Sequence, residues 1–208
     1  MKEFWNERYR EPGYVYGTTP NVFLAKMLLG LPVGRALFPA EGEGRNAVHA
    51  ASLGWEVVCF DQSEVGREKA LALAQEKGVE IDYRISSIED FDFEPEAYQL
   101  VGLFFAHQPP AQRRYLHQKA FESLRPGGRI LLQGFGWQQL AYQSGGPRQE
   151  DMLFTPEMLH GDFPGLEIDL LEATETYLSE GRYHHGPAHT VQLAGVRIKT
   201  PHESPLPS

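Results

Sequence analysis

Glu41-Gly42-Glu43-Gly44-Arg45-Asn46 is the stretch on which the reading of this 208-residue chain turns. It follows a short apolar segment, Ala36-Leu37-Phe38, and opens a run with helical spacing over residues 42–53. A second apolar segment over 56–60 then ends at Asp61. Glycines at 42 and 44 let the backbone come close to a ligand at the strand end, and the helix that follows presents free amides there. A carboxylate just past the second strand stands where it can grip ribose hydroxyls. The order strand, glycine loop, helix, strand, acid therefore predicts a nucleoside site.

Outward from this unit the alternation continues. A helix is expected over 63–77, ended by Gly78; strands over 81–85 and 99–106; a helix over 110–124; and a strand over 129–134 after the turn Pro126-Gly127-Gly128. This predicts an α/β fold, a doubly wound and mostly parallel sheet with helices on both faces. Before the loop, residues 1–34 hold an aromatic-rich opening and an amphipathic run over 22–29, with Asn21 as N-cap. After Gly134 a short helix near 155–160 is expected, with Pro156 in its first turn. Strands over 166–173 and 190–198 follow, with the polar residues 179–189 as a long hairpin loop between them. The expected organisation is one domain over residues 1–200 and a flexible tail over 201–208, where three prolines leave nothing to bury.

Composition narrows the function. With 41% hydrophobic and 23% charged residues the chain can build one sizeable core. A formal net charge of -9 argues against a nucleic-acid partner, because phosphate binding needs clustered Lys and Arg. Cys59 is the only cysteine and lies in an apolar run, so a buried, inert thiol is expected and the cytoplasm is the expected location. No stretch reaches the ~18 apolar residues of a membrane helix, and no membrane partner is expected. The expected partner is a small-molecule substrate, with the protein a monomer or homodimer. His184-His185-Gly186-Pro187-Ala188-His189 invites a metal reading, but neighbouring histidines on an extended segment point to opposite faces, and no metal is expected.

The glycine spacing departs from the dinucleotide pattern, with Asn46 and Ala47 where a third glycine would support a pyrophosphate, and suits a ligand lacking phosphate. Here the chain resembles the class I S-adenosylmethionine-dependent methyltransferases, and specifically the tellurite-resistance and thiopurine-methyltransferase-like branch. That branch commonly shows Leu-Asp-Leu-Gly-Cys-Gly-Glu-Gly-Arg-Asn, against Leu37-Phe38-Pro39-Ala40-Glu41-Gly42-Glu43-Gly44-Arg45-Asn46. The resemblance includes Phe4-Trp5-Asn6-Glu7-Arg8-Tyr9, Tyr14-Val15-Tyr16-Gly17-Thr18, Gly54-Trp55-Glu56-Val57, Leu124-Arg125-Pro126-Gly127-Gly128 and Tyr183-His184-His185-Gly186-Pro187-Ala188.

The resemblance implies a Rossmann-like seven-stranded sheet with an antiparallel last strand, the cofactor across the ends of the first, second and fourth strands, and residues 1–34 as a lid. It implies S-adenosylmethionine as cofactor, with Tyr16, Phe38, Ala40, Gly42, Gly44, Asn46, Asp61, Gln62, Ser87, Ile88, Glu89 and Ala106 as the binding set. Three of these depart from the family. Phe38 stands for an acid that helps fix the methionine amino group, Ala40 for the first glycine, and Ser87 for an Asp that binds the adenine amino group. His107, just past the fourth strand, is the candidate base or substrate contact. Gln108 and Ala111 around the double proline lack the features that would hold and stack a flipped base, which disfavours base methylation. The expected function is methyl transfer to a thiol, a chalcogen or metalloid oxyanion, or a drug-like nucleophile. The alternative is a degenerate member acting as a binding or regulatory module; an NAD(P) oxidoreductase is weaker, since no Tyr-x-x-x-Lys pair is present. Arg113-Arg114 reads as a solvated helix face, and Glu89 and Asp90 as residues that reach the adenine edge or solvate a loop.

Overall fold

The computed structural model describes residues 2–198, so the expected tail over 201–208 lies outside the described residues. The chain opens with helices α1 (Lys2–Tyr9) and α2 (Val22–Leu28), then runs β1 (Arg35–Pro39), α3 (Arg45–Ser52), β2 (Glu56–Asp61), α4 (Glu64–Lys77), β3 (Asp82–Ile85), β4 (Tyr98–Phe104), α5 (Pro110–Ser123) and β5 (Leu124–Phe135). Helix α6 (Pro156–Asp162) and strands β6 (Leu166–Ser179) and β7 (His185–Arg197) complete it. The seven strands form one sheet in the order β3-β2-β1-β4-β5-β7-β6. Strands β1 to β5 pair in parallel, and β7 runs antiparallel to both β5 and β6. The expected seven-stranded sheet with its antiparallel last strand is present.

Alternation along β1 divides the core. Leu37 packs with Val58, Phe60, Val101 and Leu103 against Leu116 and Ala120 of α5. Ala36 and Phe38 pack on the opposite face with Val57 and Cys59 against Leu24 and Leu28 of α2 and Ala47 and Ala50 of α3. Because successive strand residues face opposite ways, one short strand serves two helical layers. Helix ends follow their caps: Asn21 accepts from the Leu24 amide, Ser63 from Gly66, and Thr155 from Met158, while Gly78 closes α4 in the left-handed region. None of the helices among the described residues is long and apolar enough to cross a membrane.

Several readings differ from expectation. Strand β5 begins at Leu124 rather than at 129, running through the Pro126-Gly127-Gly128 segment expected as a turn. The helix after the loop starts at Arg45, not at 42, because Gly42 (φ 61°) and Gly44 (φ 85°) take left-handed conformations that a right-handed helix excludes. The hairpin joining β6 and β7 is far shorter than 179–189: the ladder continues through Thr176 opposite Ala188 to Ser179 opposite His185, leaving only residues 180–184 to turn. Polar residues do not stop a strand at a sheet edge, where one face meets water. Arg113 is not solvated; it is buried, with its Nε 2.8 Å from Asp162 Oδ2, which also meets His117 Nδ1 at 2.8 Å.

Candidate active site

The strand order reverses between β1 and β4, and a cleft opens beyond the carboxyl ends of β1, β2 and β4, the place at which open α/β sheets take ligands. It has a volume of about 1070 Å³ counting its open mouth. Ala40 to Glu43 come from the loop after β1, Asp61 and Gln62 from the end of β2, Ser86 to Glu89 from the segment after β3, and Phe104 to Gln108 from the end of β4. Trp5, Tyr9 and Tyr16 reach in from the opening segment, and His184 from the β6–β7 turn.

Of the thirteen residues singled out from sequence, Tyr16, Ala40, Gly42, Asn46, Asp61, Gln62, Ser87, Ile88, Glu89, Ala106 and His107 line this cavity. Phe38 and Gly44 do not. Phe38 is fully buried among the α2 and α3 side chains, the face that strand alternation gives it. Gly44 is the N-cap of α3, and a Cβ there would sit 2.5 Å from the Ala70 Cβ, so this glycine lets two helices approach. Gly42 does face the site; a Cβ there would meet the Tyr9 hydroxyl at 2.5 Å. Ala40, where the resemblance expects a glycine, takes the left-handed backbone with φ 52°. An alanine there carries a conformational cost of roughly 1–2 kcal/mol.

The loop acids hold the protein's own backbone. Glu41 Oε1 accepts from the Asn46 and Ala47 amides at 2.8 Å each, and so caps α3. Burial pushes its carboxyl up to about 7 against those bonds. Glu43 Oε2 accepts from the amides of Val15 (2.8 Å) and Tyr16 (3.2 Å), and its Oε1 meets Lys69 Nζ at 2.9 Å. The opening segment is thereby tied across the loop after β1. Asn6 adds a second tie, accepting from the Ser63 hydroxyl at 2.6 Å. Asp61 Oδ1 accepts from the Ser63 amide at 2.9 Å and Oδ2 from Gly42 at 3.2 Å, which aims the carboxylate along the cleft wall. Burial raises it to about 6. Asn46 spends its side-chain oxygen on the Asn21 amide at 2.8 Å. The Ser87 hydroxyl donates to Asp90 Oδ2 at 2.7 Å, so a carboxylate absent at position 87 is held three residues away. Glu89 accepts from Gln112. The thiol of Cys59 is buried and pushed well above its ordinary range by burial.

His107 is corrected by its hydrogen bonds. The Phe135 amide donates to Nε2 at 2.9 Å, and Nδ1 lies 2.8 Å from the Met152 carbonyl. A carbonyl only accepts, so the ring is neutral with its proton on Nδ1. Burial lowers it to about 4. With both nitrogens committed to main chain, His107 ties the end of β4 to β5 and has no lone pair to offer a substrate.

His184, the last residue of the turn, is buried and lines the cavity, whereas His185, the first of β7, is exposed beside Tyr177. The His184 ring packs on Phe105 (centroids 4.3 Å apart), Tyr16 (4.7 Å) and Phe135 (5.2 Å). Beneath it is a buried polar cluster that the sequence reading missed. Arg45 Nη2 meets Glu180 Oε2 at 2.8 Å, and Asn21 Nδ2 donates to Glu180 Oε1 at 3.1 Å and to Gln133 Oε1 at 2.8 Å. The only signal for it in the sequence is an acid four residues before His184.

Residues 39–128 match the family model described as a methyltransferase domain. No curated protein matches the sequence. Among solved structures, one described by the conversion of a disulfide bond into a thioacetal group during echinomycin biosynthesis superposes with a TM-score of 0.77 at 17% identity, over 95% of this chain and 92% of that one. TehB from Haemophilus influenzae gives 0.70 at 13%, over 95% of this chain and 67% of its own. Magnesium protoporphyrin IX methyltransferase (ChlM) from Synechocystis PCC 6803, with bound SAH, gives 0.69 at 16%, over 94% and 97%. At these identities the likeness to each is one of fold. The match over residues 39–128 spans less than half of the chain and makes that stretch similar to a methyltransferase domain.

Proposed function

We propose that this chain moves the methyl group of S-adenosylmethionine to a small-molecule acceptor by in-line displacement in the cleft beyond β1, β2 and β4. The observation that carries the reading is Asp61, a buried carboxylate held on the Gly42 and Ser63 amides at the strand-order reversal. The residues present fit such a cofactor. Asp61 and Gln62 would hold the ribose, the backbone of Ala40 to Gly42 would allow close approach, and Ser87, Ile88, Glu89 and Ala106, which line the same cavity, would contact the base. Tyr16 and Asn46 would meet the methionine end, with Glu41 and the α3 terminus setting the charge there. When bound, S-adenosylmethionine supplies an activated methyl carbon. The protein's tasks are then alignment, exclusion of water by the tied-down opening segment, and disposal of the acceptor's proton. The acceptor classes this leaves open are thiols, chalcogen or metalloid oxyanions and drug-like nucleophiles.

Calorimetric titration with S-adenosylmethionine, S-adenosylhomocysteine and NAD tests the reading. Both sulfur nucleosides are expected to bind and NAD is not. If neither sulfur nucleoside binds at millimolar concentration, the proposal fails.

A further inference from the structure

We infer that Glu180 and His184, in the turn joining β6 to β7, are the proton-accepting pair of this cleft, and that the acceptor is an uncharged, proton-bearing nucleophile on an aromatic or apolar body. The inference rests on the proposed function and narrows it.

The first observation is an orphaned atom. His184 Nδ1 is buried without a hydrogen-bond partner, 3.6 Å from Glu180 Oε2, while the ring lines the cavity between Tyr16 and Phe105. Burial by itself would raise the Glu180 carboxyl, but His184 and Arg45 outweigh it and hold it down to about 2. Glu180 is therefore a carboxylate at neutral pH, and a lone pair on Nδ1 facing it would be repelled. The tautomer that the geometry favours carries the proton on Nδ1, directed at Glu180, which leaves the lone pair on Nε2. Among the described residues no protein group bonds to Nε2, in contrast to His107. Burial keeps the imidazole below its ordinary range, opposed by Glu180 and helped by the charges of Arg45 and Arg8, so it is neutral and able to take a proton. Glu180 is a positioning residue: Arg45 and Asn21 fix it, and it fixes the ring.

The second observation is charge. Arg45 is the one Lys or Arg lining the cleft among the described residues, and Glu180 already neutralises it. Glu41, Glu43, Asp61 and Glu89 line the same cleft. An oxyanion finds no free cation here, whereas Tyr16, Phe105 and Trp5 offer aromatic surface to an uncharged body. In the step itself the acceptor heteroatom forms a bond to the methyl carbon as the carbon–sulfur bond breaks and its electron pair stays on sulfur. The acceptor's proton passes to His184 Nε2 and then to solvent. The products are the methylated acceptor, S-adenosylhomocysteine and one proton.

The test uses the full chain loaded with S-adenosylhomocysteine. Calorimetry first shows that wild type and His184→Gln both bind it; failure in wild type sinks the proposed function, whereas loss confined to His184→Gln overturns the present inference. Nuclear magnetic resonance of ¹⁵N-histidine-labelled protein then reads the tautomer of His184, assigned by the signal lost in His184→Gln. A protonated Nδ1 and bare Nε2 are expected; the opposite tautomer overturns the inference whether or not an acceptor is turned over. For turnover, phenol, aniline and tellurite are offered with S-adenosylmethionine. Methylation of an aromatic probe is expected, with kcat falling roughly 100-fold or more in His184→Gln at little-changed KM, as loss of a general base does. Imidazole is expected to restore part of that rate, and Glu180→Gln to lower kcat by a smaller factor and shift its pH profile. Preference for tellurite, or an unchanged kcat in His184→Gln, overturns it.

Discussion

His107 and His184 lie in the wall of the same cleft, both buried and both neutral, yet the end of β4 and the β6–β7 turn use them in opposite ways. His107 spends each nitrogen on a main-chain group, Phe135 and Met152, and joins two segments. His184 makes no bond that meets hydrogen-bond distance and leans on three aromatic rings. Position in the wall of a cleft is thus a poor guide to chemistry. What decides is whether the lone pair is already taken.

The sharpest way to break this comparison is to delete each ring. His107→Ala removes two buried hydrogen bonds, leaves the Phe135 amide unpaired and opens a void, a loss of about 3 kcal/mol. On that figure the thermal midpoint falls roughly 6–12 °C. His184→Gln is expected to cost about 1 kcal/mol or less, its effect falling on turnover. Equal losses in calorimetric melting would erase the distinction.

Acid separates them less strongly. His107 has its pKa lowered from its ordinary 6.5 to about 4, so the unfolded chain takes up the proton first. Its contribution is fully present above pH 6.5 and is lost as pH falls through about 4, a total of about 3 kcal/mol. Glu41 and Asp61, raised to about 7 and about 6, act with the other sign: their contribution is complete below their ordinary values and is lost as pH rises through the raised ones. In His107→Gln, which keeps an acceptor for the Phe135 amide but does not titrate, the drop in urea midpoint between pH 6.5 and pH 4 is expected to shrink. An undiminished drop would assign the acid sensitivity elsewhere.

Asp61 combines the two habits, bonded to backbone yet facing the cleft. Asp61→Ala is expected to weaken S-adenosylmethionine binding roughly tenfold or more in calorimetry, the loss of a charged hydrogen-bond partner. Unchanged affinity would move the ribose away from β2. The smallest effect is expected at Ala40, where the cost lies in backbone conformation. Ala40→Gly relieves a φ of 52° and is expected to raise stability by about 0.5–1 kcal/mol in urea unfolding. A loss instead would mean that the alanine methyl packs usefully enough to outweigh the strain.

Local signals fixed much of this fold in advance. The alternation of strands and helices, the caps Asn21, Ser63 and Thr155, and the stop at Gly78 are short-range, because hydrogen bonds within a turn need no distant partner. The loop from Glu41 to Asn46 and the acid at Asp61 were equally legible, since strand ends and glycines mark where a backbone can meet a ligand. The face on which Phe38 falls, the use of Gly44 for helix packing and the burial of Arg113 against Asp162 were not.

By itself, then, the sequence determined the order of elements and the place of the glycine loop, because periodicity and turn chemistry act between near neighbours. Only the tertiary structure decided which histidine keeps a free nitrogen. That choice depends on Met152 and Phe135 reaching His107, and on Arg45 and Asn21 pinning Glu180 beneath His184. The first pair lies 45 and 28 residues from its histidine, and Arg45 lies 135 residues from Glu180. Such partners are brought together by the sheet, and no local pattern in the chain records them.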